Sequence, residues 1–137
     1  FLNKDIVKIL NVTKEYIDEE IAAQMKEIER RLVAFRGSKH YDDLGGRNVV
    51  LVDDGIATGA TMFAAIEWVR KQKPKKLVVA VPVGPAETVE RLRKVADEVI
   101  ALLSPTLFDA VGEFYENFDQ VSDQEVEDII QKHMHQI

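Results

Sequence analysis

Apolar positions change their period partway along this chain, and the change divides it. From Ile17 to Phe35 they recur at spacings of four and three (Ile17, Ile21, Met25, Ile28, Leu32, Phe35) with charge between them. That period predicts one long amphipathic helix ending near Gly37. A shorter helix is expected before it, capped by Asn3, stapled by Leu2 and Val7, and left through Asn11 after about Leu10. Thr13 is then the cap of the long helix, between the staple partners Val12 and Ile17. After the polar, Gly-ended stretch Ser38–Gly46 the period collapses. Asn48–Asp53, Leu77–Val83 and Val99–Leu103 are apolar on consecutive positions, the pattern of strands buried on both faces in a parallel sheet. Met62, Ala65, Ile66 and Val69 mark a helix that starts near Ala60 and stops before Pro74. Val89, Leu92 and Val95 mark another, with Pro85 at its first position. Such alternation predicts right-handed crossovers and an α/β fold with a doubly wound, mostly parallel sheet. The stretch Ser104–Tyr115 is irregular. Ser122-Asp-Gln-Glu125 is a capping box opening a last helix through Ile129, Ile130 and Met134.

Read as one domain over residues 1–137, the chain has a helical segment and loop (1–46), a βαβαβ core (47–103) and a C-terminal segment with its helix (104–137). Its 137 residues are 46% hydrophobic and 31% charged, a globular composition. No run approaches the roughly 20 apolar residues of a membrane helix. The absence of Cys removes disulfides and thiolate metal sites and fits a cytoplasmic setting. A net charge of −6 argues against nucleic acid as partner. The densest basic cluster, Arg70–Lys76, complements the dipole at a helix end. His40, His133 and His135 are the only histidines, and the spacing of the last two places them on different helix faces, so no metal site is expected. The chain opens at Phe1-Leu2 without an initiator Met, as though cut from something longer.

The candidate chemistry lies where the first buried strand ends. Asp53 and Asp54 stand at its carboxyl end, where open α/β sheets place their ligands. Gly55 and Gly59 bracket a tight turn, Thr58 and Thr61 offer hydroxyls, and a helix then begins near Ala60. The free N–H groups of that helix start favour an anion, and Gly59 lets a phosphate approach the backbone. Adjacent carboxylates fit beside a phosphate cradle if they accept hydrogen bonds from sugar hydroxyls or face a metal. A Walker A loop would need Lys where Ala60 stands. The G-x-G-x-x-G fingerprint is absent, and the second Asp of a phosphoaspartyl enzyme would fall on Gly55. The bland alternative is a flexible turn before a helix with two solvated Asp residues.

The stretch VVLVDDGIATGATM (Val49–Met62) closely resembles the signature of the type I phosphoribosyltransferases: a hydrophobic strand, two acids and a T-G-x-T turn. VAVPVGPAETVERL (Val79–Leu92) and AVGEFYENFDQVSDQEV (ending at Val126) extend the likeness to an uncharacterised bacterial and archaeal group. The resemblance implies that Asp53 and Asp54 hold the ribose hydroxyls of 5-phosphoribosyl-1-diphosphate (PRPP). It assigns the 5′-phosphate to Ala57, Thr58, Gly59, Ala60 and Thr61. It further implies transfer of phosphoribose to a nitrogen acceptor, a nucleobase, with Mg²⁺ carried on the departing diphosphate. A homodimer in nucleotide metabolism is expected. Phe114 and Tyr115, with Phe118 nearby, fall where the family has its hood over the base; a small packed aromatic cluster is the other reading. Two features depart from the pattern. Ala57 stands where several purine transferases carry an Asp, as it does in adenine-type members. Nothing in Phe1–Gly46 resembles the family's diphosphate loop, so the first strands are expected to be missing, one of them from beside Asn48–Asp53. On that expectation the chain alone is inactive and self-associates through that edge or the Ile17–Phe35 stripe. The rival functions are a non-catalytic PRPP-sensing module and a fragment that serves assembly only.

Overall fold

A computed structural model describes residues 4–38 and 40–134. The expected cap at Asn3, its neighbour Leu2 and His135 lie outside the described residues. Two compact units emerge: Asp43–Phe118, and the flanking segments up to Asp42 and from Asp119 onward.

The first unit is an α/β layer built as the period change predicts. Strands β1 (Asn48–Val52), β2 (Lys76–Val83) and β3 (Glu98–Leu103) form a parallel sheet in the order β1-β2-β3. Leu51 pairs with Val79 across the first ladder, and Val79 with Val99 across the second. Helix α3 (Ala60–Lys71) joins β1 to β2, and α4 (Ala86–Leu92) joins β2 to β3. Met62, Ile66 and Val69 of α3 and Leu92 of α4 share one core with Leu77, Val79 and Val81 of β2. Val49, Leu51, Val99 and Ala101 pack against it from the outer strands.

Consecutive apolar residues predicted strands buried on both faces. The central strand comes nearest: alternate β2 residues are fully buried and those between, from Val78 to Pro82, are half-buried. In β1 and β3 the same kind of run leaves Val50, Val52, Ile100 and Leu102 exposed, because the helices cover one face and each outer strand has a single neighbour. Pro85 caps α4 rather than opening it, and Val95 lies past the end of that helix, which stops at Leu92. Arg70 secures the turn there. Its guanidinium donates to Val95 O at 3.0 and 3.2 Å and to both Asp97 carboxylate oxygens at 2.9 and 3.1 Å. Asp97 in turn accepts the Leu77 amide at 2.6 Å.

The second unit is helical. Helix α1 (Lys4–Ile9) leaves through Asn11 at φ 48°, as its sequence suggests. Helix α2 (Lys14–Arg36) is the long amphipathic helix. Thr13 caps it by accepting the Tyr16 amide at 3.2 Å, and Gly37 ends it in the left-handed region at φ 67°. No α2 residue is fully buried; Ile21, Met25 and Ile28 are about half exposed. Helix α5 (Asp123–Met134) begins with the expected capping box. Ser122 Oγ accepts the Glu125 amide at 3.3 Å, and the Glu125 carboxylate accepts the Ser122 amide at 2.8 Å. Arg30 of α2 meets Asp123 at 2.8 Å. Among the described residues no helix is long and apolar enough to cross a membrane.

Candidate functional site

The turn from β1 into α3 occupies the carboxyl end of the sheet, beside the end of β2. Asp53 leaves β1 half-buried and Asp54 follows exposed. Asp53 Oδ1 accepts the Asp54 amide at 3.0 Å, which turns the first carboxylate back over the chain. Burial holds the Asp53 carboxyl above the ordinary carboxylate range. The charge of Asp54 pushes the same way, and the hydrogen bond from the Asp54 amide pulls against both. A partly desolvated carboxylate beside a second one in sequence suits a ligand that donates hydrogen bonds.

The rest of the turn is held by backbone. Ile56 N–H donates to Val83 O at 2.9 Å, tying the loop to the end of β2, and the Ile56 side chain enters the core. Gly59 sits in the left-handed region at φ 80° as the cap of α3. The first bond into the helix is from Phe63 N–H to Gly59 O at 2.8 Å. Among the described residues the amides of Thr61 and Met62 therefore find no acceptor, and the Ala60 amide has only a long contact of 3.4 Å to Thr58 Oγ1. Three N–H groups at the positive end of a helix dipole are the groups an anion would use.

A cavity of about 220 Å³ opens here, lined by Asp53, the run Gly55–Met62 and Val111. It brings together one carboxylate and all five residues assigned to phosphate, Ala57, Thr58, Gly59, Ala60 and Thr61. Asp54 lies at its margin, outside the lining. A larger groove of about 580 Å³ runs between α3 and Val95. Its wall includes none of the loop residues; the smaller cavity is the one that gathers the candidate side chains.

Two residues at this site carry no clear signal in the sequence. Thr88, on α4, is buried, and its hydroxyl donates to Ala57 O at 3.0 Å. A lone Thr beside the apolar Val89 reads as helix surface or core. Val111 opens a short 3₁₀ turn (Val111–Phe114), and a Cβ placed on Gly55 would lie 2.5 Å from its Cγ1. Gly55 is therefore where the C-terminal segment closes onto the loop. From that segment Tyr115 donates its hydroxyl to Asp54 O at 2.5 Å. The Tyr115 ring tilts against Phe118 at 5.1 Å, and Phe114 stacks on Phe108 at 5.3 Å. The aromatic residues there form two pairs, Phe108 with Phe114 and Tyr115 with Phe118, and Tyr115 is tethered to the loop.

The chain is similar to known proteins in sequence and fold. Residues 2–119 match the family model of the phosphoribosyl transferase domain. The chain belongs to this family. As a phosphoribosyl transferase domain it is 45% identical over 125 residues to a Mycobacterium tuberculosis (H37Rv) protein provisionally named a phosphoribosyl transferase. That match covers 91% of this chain and 28% of the other protein, so the chain spans under a third of that relative. A ribose-phosphate pyrophosphokinase of Pyrococcus furiosus is 48% identical over 59 residues, 42% of this chain and 21% of that protein. Among solved structures, TT1426 from Thermus thermophilus superposes with a TM-score of 0.74 at 43% identity, over 90% of this chain and 59% of that one. The α/β fold of the phosphoribosyl transferase domain is common to both.

Proposed function

We propose that the β1–α3 turn binds PRPP and that the domain serves transfer of its phosphoribosyl group to a nitrogen acceptor, with release of diphosphate. The observation that carries this reading is the juxtaposition within one cavity of a partly buried carboxylate and a helix start with unsatisfied amides. Ribose 5-phosphate matches both halves. Its 5′-phosphate meets the amides and hydroxyls of Ala57–Thr61, and its hydroxyls donate to Asp53 and Asp54. Anchoring both ends of the sugar leaves its anomeric carbon to react. Catalysis then amounts to positioning and electrostatic stabilisation of an oxocarbenium-like ribose as the diphosphate departs. Phe114, partly exposed and stacked on Phe108, is the ring this reading offers to a nucleobase, with Tyr115 beside it.

Mg²⁺ enters this proposal with the diphosphate, whose developing charge it would neutralise. The described residues do not by themselves build a metal site, since no group of three or more His, Asp or Glu side chains is placed to hold one. Calorimetry with ribose 5-phosphate, and with PRPP and Mg²⁺, tests the binding half; diphosphate release over a panel of nucleobases tests the transfer. A chain that binds neither sugar phosphate overturns the reading. Binding without release for every base, measured on the full-length protein, would instead make the site a PRPP sensor.

A further inference from the structure

The loop carries two hydrogen bonds that the binding roles above do not use, and they share one form. In each, a side chain from a distant element donates its hydroxyl to a loop carbonyl. Thr88, on α4, holds Ala57 O at 3.0 Å from 31 positions away. Tyr115, just past the 3₁₀ turn, holds Asp54 O at 2.5 Å from 61 positions away. In a trans peptide the carbonyl of one residue and the N–H of the next point to opposite sides of a rigid plane. Pinning Ala57 O therefore fixes the Thr58 amide, and pinning Asp54 O fixes the Gly55 amide. Among the described residues neither amide has a protein acceptor, and both residues line the cavity.

From this geometry we infer that Thr88 and Tyr115 are positioning residues that aim the two halves of the loop separately. This inference rests on the function proposed above. Thr88 orients the phosphate half. It is buried, and its Cγ2 packs where a side chain on residue 59 would otherwise reach, so its hydroxyl has little freedom to turn away. Tyr115 orients the ribose half. Its bond sets the plane that follows Asp54, while Val111 closes over Gly55 from the same segment. Any ligand that displaces the C-terminal segment would free the Asp54–Gly55 peptide and leave the phosphate cradle intact.

The separation can be measured. Tyr115→Phe and Thr88→Val each remove a hydroxyl while nearly preserving shape, and Thr88→Ser restores one. Affinities of the full chain for ribose 5-phosphate and for inorganic phosphate are compared well below each variant's Tm. Tyr115→Phe is expected to weaken ribose 5-phosphate roughly three- to ten-fold, the range of one hydrogen bond, and to leave phosphate unchanged. Thr88→Val is expected to weaken both ligands by similar factors, with Thr88→Ser recovering most of the loss. A purely structural role would lower Tm while leaving the ratio of the two affinities unchanged in Tyr115→Phe and both affinities unchanged in Thr88→Val, and that result overturns the inference. So does a wild-type chain that binds both ligands while the variants bind them equally well. A wild-type chain that binds neither refutes the proposed function, and this inference with it.

Discussion

Replacing Gly59 by Ala tests the loop most directly, because two costs can be separated. Gly59 holds φ 80°, where an L-residue loses about 1–2 kcal/mol. Its new Cβ would also lie 2.9 Å from Thr88 Cγ2 and 3.0 and 3.2 Å from ring carbons of Phe63. Thr88 cannot retreat easily, being buried and hydrogen-bonded to Ala57 O. The guanidinium of Arg91 lies 4.9 Å from the centre of the Phe63 ring, limiting its movement too. Crowding of this kind costs about 1–3 kcal/mol, for a total near 2–5 kcal/mol. Gly46, in the same unit, is the control. It holds φ 68° with nothing within 4 Å of a built Cβ, so Gly46→Ala bears the conformational cost alone. Both changes gain similarly from a stiffer unfolded chain, and that gain cancels in the comparison. Urea unfolding followed through Trp68, the single tryptophan and a residue of α3, reads this unit. Gly59→Ala should be less stable than Gly46→Ala by about 1–3 kcal/mol at equal m-value. Two variants within about 0.5 kcal/mol of each other would show that Thr88 and Phe63 do not confine the loop.

Three further outcomes are expected. Asp53→Asn combined with Asp54→Asn should weaken PRPP by about 2–4 kcal/mol, as for charged hydrogen bonds to sugar hydroxyls, with the far-UV spectrum unchanged; undiminished affinity by calorimetry would remove the pair from the site. Asp53→Asn alone should raise Tm at pH 7. Burial lifts the folded-state pKa of Asp53, so its favourable contribution exists below the unfolded pKa and is lost as pH rises through the folded value; the gain should therefore fade on acidification, and a gain independent of pH would contradict this account. Asp97 behaves oppositely. Arg70 first, and then the Leu77 amide, hold its carboxyl below the ordinary value. Its contribution is present at neutral pH and lost as pH falls through the folded value, so Asp97→Asn should lower Tm at pH 7 and converge with wild type in acid; a loss that persists at low pH would mean that charge is not the cause.

The sequence by itself determined what depends on neighbours a few residues apart. Thr13, Gly37, Asn11 and the Ser122–Glu125 box are legible because each satisfies helix-end groups within about one turn. The strand–loop–helix unit from Asn48 to Lys71 is legible for the same reason: the acids, the glycines and the helix start are contiguous, and the cradle proposed for phosphate is made of that contiguous backbone. The tertiary structure decided everything that requires distant segments to meet. An apolar run such as Val49–Val52 reads alike at the centre or the rim of a sheet, and only strand order makes β2 the buried one. The raised pKa of Asp53 is likewise a property of burial rather than of residue type. Thr88 and Tyr115 look like a helix residue and a hood aromatic until folding carries them across 31 and 61 positions to the carbonyls of Ala57 and Asp54. A hydrogen bond of that range leaves no periodic trace in the chain, because its partners are selected by packing and not by spacing.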